Sequence, residues 1–248
     1  MELHSFGDTL RGVLFLFLRK VILMGNTFTI GIKDYKKMKK EFRKLQKAPE
    51  IVEKRIVSDF KSRAPGWIAS EVVSVYNIKK NEIRPSKSGD VSVGSIAVKG
   101  KTIKSVSLVY RGRLLTPTHF GMKPKKPYKS GNYTLTVEIL KGNVKKLGVV
   151  KKLTKEQRKK LGKNFRKQGS RNSPKSPNML LHTGNKHEGG TNYIPFQRVS
   201  QRRDDLEVRK TISMPQMVSS KRVEKKIDDV LSKNIGKRLD QHMSRYMK

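Results

Sequence analysis

The stretch Ser92-Val93-Gly94-Ser95-Ile96-Ala97-Val98-Lys99, followed after Gly100-Lys101 by Thr102-Ile103-Lys104-Ser105-Val106-Ser107-Leu108-Val109-Tyr110, sets the fold class. Both runs are rich in Val, Ile and Ser and alternate with period two, which puts successive side chains on opposite faces of a strand. The Gly-Lys step between them predicts a β-hairpin. Downstream, Tyr133, Leu135, Val137 and Ile139 alternate as clearly and predict a further strand. Pro117, Pro124 and Pro127 lie between. Proline cannot donate to a sheet ladder, so 116–130 reads as a long extended arm.

Upstream the period changes. Residues 26–33 carry Phe28, Ile30 and Ile32 on one side and predict a short strand, and Asp34 is placed to cap the next element. Tyr35, Met38, Phe42 and Leu45 then recur at helical spacing. Pro49 suits the first turn of a second helix with Val52, Ile56 and Phe60 as its stripe. Pro65-Gly66 predicts a break, with a third helix over Trp67, Ile68, Val72, Val75 and Tyr76 and a short fourth over 78–83.

Toward the C-terminus, 151–167 is dense in Lys and Arg, and 170–178 is rich in Ser, Asn and Pro. They read as a mobile basic insertion. Residues 193–199 and 206–214 are strand candidates, the second ended by Pro215. Val223, Ile227, Val230, Leu231, Ile235, Leu239, Met243 and Tyr246 form the longest amphipathic helix in the chain. The expected architecture is α+β: N-terminal helices, a mostly antiparallel sheet with long loops, and a C-terminal amphipathic helix. The expected segments are an extension at 1–24, strand and helices at 25–85, and a β-rich core at 86–150. A basic insertion at 151–192 and a completing segment at 193–248 come after these. The apolar run 12–18 is cut by Arg19 and Lys20 and is too short for a membrane span. Met24 opens a natural start, so 1–23 reads as an upstream extension rather than a signal peptide.

Composition adds the partner class. The chain holds 57 Lys and Arg against 20 Asp and Glu, a formal net charge of +37. Self-repulsion of that size disfavours an isolated compact monomer and draws the chain to polyanions. Two partners answer it: a nucleic-acid backbone, or the acidic surface of other subunits in an assembly. With no cysteine there is no disulfide, thiolate zinc site or cysteine nucleophile.

The motifs give no chemistry. Gly184 to Gly189 has the spacing of a phosphate loop, but Gly190 stands where the lysine is needed. His4, His119, His182, His187 and His242 make no spaced zinc pair, and His182 with His187 reads as a pair of exposed loop residues. Asp204-Asp205 and Asp228-Asp229 are adjacent pairs, and neighbours on a helix do not converge on one proton or one metal ion. The expectation is a non-enzyme with no catalytic, cofactor or metal residues. In the basic insertion Lys151, Lys152, Arg158, Lys159, Lys160, Lys163, Arg166 and Lys167 are the candidate DNA-facing residues. Phe165 alone is available there for stacking, so any contact would be non-specific.

Three segments carry a resemblance. They are Ser62-Arg63-Ala64-Pro65-Gly66-Trp67-Ile68 running on to Tyr76-Asn77-Ile78-Lys79-Lys80; Tyr110-Arg111-Gly112-Arg113-Leu114-Leu115-Thr116-Pro117-Thr118-His119-Phe120-Gly121-Met122-Lys123-Pro124; and Ile194-Pro195-Phe196 with Thr211-Ile212-Ser213-Met214-Pro215-Gln216-Met217 and the closing helix. In this order, over most of 28–246, the chain resembles the prophage minor tail protein Z family of tail completion proteins. The resemblance implies a structural role at the head-proximal end of a virion tail, assembled in the host bacterial cytoplasm. It also implies other tail and neck proteins as partners and a DNA end nearby. A homo-oligomeric, hexameric ring and no membrane partner are expected. Trp67, Leu114, Leu115, Pro117, His119, Phe120 and Met122 are the candidate inter-subunit contacts. The alternative is a basic nucleic-acid-binding protein of ribosome type.

Overall fold

The computed structural model describes residues 27–32, 35–43, 49–84, 90–91, 93–128, 132–150, 178–187, 190–198 and 206–246. The extension 1–24, Asp34, the pair Asp204-Asp205 and all eight candidate DNA-facing residues of the basic insertion lie outside them. The fold is α+β, built from helices and antiparallel sheets. The chain divides into two compact units. The first comprises Met1–Val73, Lys80–Arg113 and Ser213–Lys248; the second comprises Ser74–Lys79 and Leu114–Ile212.

The first unit holds a four-stranded sheet. Its strands are β1 (Thr27–Gly31), β2 (Asp90–Val91), β3 (Gly94–Lys99) and β4 (Ser107–Arg111), in the order β1-β4-β3-β2 and all antiparallel. Phe28 and Ile96 flank Tyr110 across the sheet, and Ile30 and Val98 flank Leu108. Phe28, Ile30 and Ile32 are all buried, as the alternation predicts. The central strand β4 is buried on both faces, at Leu108, Val109 and Tyr110. The β3–β4 hairpin forms, but its loop is 100–106, longer than the expected Gly-Lys turn. Ile103 and Val106 are the reason. Both are buried, and the Ile103 N–H donates to the Glu53 carboxylate at 3.2 Å, so the loop is drawn inward.

Three helices of this unit precede β2: α1 (Tyr35–Arg43), α2 (Pro49–Val75) and α3 (Lys80–Ile83). The final residues of α2, Ser74 and Val75, count with the second unit. The expected break at Pro65-Gly66 is absent, and α2 runs straight through both residues. Proline there removes one backbone bond and crowds the preceding turn. Apolar burial outweighs that cost. Val52, Ile56, Phe60, Ala64, Ile68 and Val72 are each 0% exposed at a constant four-residue spacing across the proline. Burial of six such side chains is worth on the order of 10 kcal/mol, against about 3 for an interior proline.

Two further helices close the unit, α4 (Met214–Val218) and α5 (Lys221–Ser244). Pro215 does not end a strand as expected; it lies in the first turn of α4, where its missing N–H has no partner to lose. Ser213 caps that turn. Its hydroxyl accepts from the Gln216 N–H, and the Gln216 side chain accepts from the Ser213 N–H at 2.8 Å. α4 packs on β1 and β4. Gly94 makes the approach possible: a Cβ there would sit 2.1 Å from the Arg111 carbonyl oxygen and 3.0 Å from the Met214 methyl. The apolar face of α5 is buried as predicted, at Val223, Ile227, Leu231, Ile235, Leu239 and Met243.

The second unit holds a hairpin, β5 (Tyr133–Leu140) with β6 (Asn143–Val150). It also holds a three-stranded antiparallel sheet of β7 (Asn178–His187), β8 (Thr191–Arg198) and β9 (Leu206–Val208). β9 is shorter than the expected 206–214 strand. Met122, Tyr133, Leu135, Val150 and Leu180 form the core, with Leu147 and Tyr193 packed against it. The glycine-rich stretch 183–191, read as a loop, instead continues β7 to His187. Gly184 takes φ +80 within it, where the register of β7 on β8 shifts.

Candidate functional site

Over 117–120 the expected extended arm is replaced by a turn. Pro117–Phe120 closes a 3-10 turn, ended by Gly121 at φ +66. Pro117 supplies the fixed φ that starts such a turn. Pro117, Thr118 and Phe120 are buried within the turn, and Leu115 and Met122 are buried on either side of it. Leu115, Pro117, Phe120 and Met122, expected to contact neighbouring subunits, are therefore enclosed by their own chain. Leu114 remains exposed, and Trp67 and His119 are half-buried. Backbone bonds hold the start of this segment beside its return. The Leu115 N–H donates to the Ile212 carbonyl at 3.2 Å, and the Thr211 N–H to the Leu115 carbonyl at 2.7 Å.

Lysines gather on the outer side of the second unit. The outward face of β5 carries Thr134, Thr136 and Glu138, while Tyr133, Leu135 and Val137 point to the core. Thr136 pairs with Lys146 of β6 on one side and with Lys123 on the other. Directly paired residues share a face, so Lys123, Thr136 and Lys146 form one row across the two-stranded hairpin and the single bridge at Lys123. The Lys123 and Thr136 backbones exchange bonds of 3.0 and 2.9 Å, which fixes that row. Asn143, Val144, Lys145 and Lys146 are exposed on both faces of β6, and Lys141 is exposed in the turn. Gly142 completes the turn at φ +76, and a Cβ there would meet nothing within 4 Å, so the tip stands clear.

Glu138 is the only acidic residue between Asp90 and Glu156. Its carboxylate is occupied at home, accepting from the Gly142 N–H at 2.7 Å and the Asn77 amide at 3.2 Å. Arg209 is also turned inward, donating to the Leu147 carbonyl at 3.4 Å. Among the described residues, no ion pair engages Lys123, Lys141, Lys145 or Lys146. Sequence reasoning singled out candidate DNA-facing cations at 151–167, outside the described residues, and did not single out this row. The signal was present as a long acid-free stretch on both sides of a clear strand.

The first unit carries a second charged group, with a different role. Asp59 on α2 lies among Arg63, Arg238 and His242. The Arg238 Nε donates to its Oδ2 at 2.7 Å, His242 Nε2 lies 2.8 Å from the same oxygen, and Arg63 Nε donates to Oδ1 at 3.0 Å. Burial would raise the Asp59 carboxyl, but hydrogen bonds from Arg238, His242 and Arg63 outweigh it and hold it below the usual carboxylate range. His242 is 4% exposed, and its Nδ1 has no hydrogen-bond partner among the described residues. A base must reach a substrate proton, and this ring is enclosed, so the group works as a tie between α2 and α5. His182, on β7, is exposed and meets the Tyr193 ring edge-on at 5.1 Å. Among the described residues no cluster of His, Asp and Glu has the arrangement of a metal site, and no helix is long and apolar enough to cross a membrane. No protein-family model, no curated protein and no solved structure matches the chain.

Proposed function

We propose that this chain is a non-enzymatic structural protein of a phage or prophage tail, acting at the head-proximal end in tail completion and head–tail joining. The resemblance of its three segments to the minor tail protein Z family supplies the tail assignment. The observation that carries the reading is the disposition of charge. A folded scaffold holds Lys123, Lys141, Lys145 and Lys146 without an ion pair among the described residues, while Glu138 and Asp59 are engaged internally. Such a surface suits a ring of subunits around a path taken by DNA. The partners are other tail and neck proteins and, non-specifically, the DNA end.

Deleting the gene from its phage or prophage tests this. Heads and tails accumulate unjoined, and antibody against the chain labels the upper end of wild-type tails. Normal yields of infectious particles without the chain would sink the reading. The same charge also favours a ribosome-type nucleic-acid-binding protein, and co-sedimentation with ribosomal subunits rather than tails would select that reading.

A further inference from the structure

We infer that the outer face of the β5–β6 hairpin, with Lys123 and Lys146 across Thr136 and Lys141 at its rim, is a contact surface for the phosphate backbone of duplex DNA. This deepens the proposed tail role and rests on its DNA contact, while moving that contact to residues on a built sheet.

Geometry comes first. Strands lie about 4.8 Å apart, so the Cα atoms of Lys123 and Lys146 stand about 10 Å apart on one face. Flexible lysine stems on that spacing each reach a separate phosphate. Lys145, on the opposite face of β6, and Lys141 in the turn extend the positive field around the clear tip.

The chemistry selects the partner. The free cations here are lysines, and the nearby Arg209 is turned onto the β6 backbone. Interfaces between proteins are depleted in Lys and enriched in Arg and aromatic residues. A polyphosphate asks only for point charges. The tip also lacks a stacking platform. Tyr128 is exposed but lies 4.9 Å from Tyr133, at the far end of β5 from the turn. Single strands are held largely by base stacking on aromatic rings, so a duplex fits better. Contacts confined to phosphates carry no sequence preference.

The test uses the full chain, a short duplex DNA and its sequence-shuffled counterpart, read by fluorescence anisotropy over a salt series. The variant K123Q/K141Q/K146Q is compared with K225Q/K233Q/K237Q, which removes three exposed lysines from α5 and so matches the charge change. Each phosphate contact contributes about 0.9 to the slope of log affinity against log salt, so the hairpin variant loses about 2.7 from that slope. Between 50 and 200 mM salt that is about a 40-fold smaller drop in affinity than wild type shows. The α5 variant keeps the wild-type slope, the K123R/K141R/K146R variant binds like wild type, and both duplexes bind alike. Equal slopes for the two Gln variants, or tighter binding of a single strand than of the duplex, would overturn the proposal. So would wild type binding an acidic protein partner but no duplex at 50 mM salt. Head–tail joining is scored separately in particles, so a failed hairpin leaves the structural role standing and a failed tail role leaves the hairpin result readable.

Discussion

Tyr110 is fully buried in the first unit, and its hydroxyl has no hydrogen-bond partner among the described residues. Burial pushes its phenol well above the ordinary range. A buried hydroxyl left unpaired costs about 1–3 kcal/mol, and removing it recovers part of that. Tyr110→Phe should therefore raise stability by about 1 kcal/mol in urea denaturation; a loss of that size would show that the hydroxyl has a partner. The sign with pH comes from the raised value. The folded state disfavours the phenolate, so the contribution is intact below about pH 10 and is lost as pH rises beyond it. The Phe variant should be flatter there. Single residues were legible in the sequence where they repeat a local period: Phe28, Ile30 and Ile32, or the α5 stripe. Asp59 and His242 were not, because their meeting spans 183 positions and leaves no periodic trace.

At the scale of elements, α2 and α5 are tied by that charged group. Removing one partner from a buried ion pair costs about 3–5 kcal/mol, and surface pairs are worth under about 1. The Asp59 and Arg238 side chains are 11% and 26% exposed, so Asp59→Ala should cost about 2–3 kcal/mol, measured by urea unfolding at neutral pH. The pH dependence of the wild type is set by the lowered Asp59 value. The stabilisation is fully present above the unfolded value of about 4 and disappears as pH falls through the lower folded value. The Ala variant should lack that acid-side loss; an unchanged acid limb would show that Asp59 does not carry it. The same scale shows where periodicity failed. β6 reads Asn-Val-Lys-Lys-Leu-Gly-Val-Val and does not alternate, because its outer half is exposed on both faces. Pro65 mimicked a boundary because local chemistry is blind to the buried row running past it. The 117–122 stretch looked extended because a short 3-10 turn has too few residues to show a period.

For the whole molecule, the charge of +37 sets the terms of stability. Like charges repel more strongly in the compact state, and salt shortens the Debye length to about 10 Å at 0.1 M. The melting temperature should rise by a few degrees between low and physiological salt, corresponding to about 1–2 kcal/mol. A melting temperature that falls with salt would mean that favourable ion pairs outweigh the repulsion. The α+β class was legible because helical and strand periods occupy different stretches of the chain. The division into units was not, because the first is assembled from segments on both sides of Leu114–Ile212. That interleaving has a consequence for synthesis. Asp59 leaves the ribosome 179 residues ahead of Arg238. At about 5–20 residues per second, α2 waits roughly 10–35 s for the helix that neutralises and covers it. Before that interval ends the contiguous part of the second unit, Leu114–Ile212, has been synthesised, so it is expected to mature ahead of the first unit.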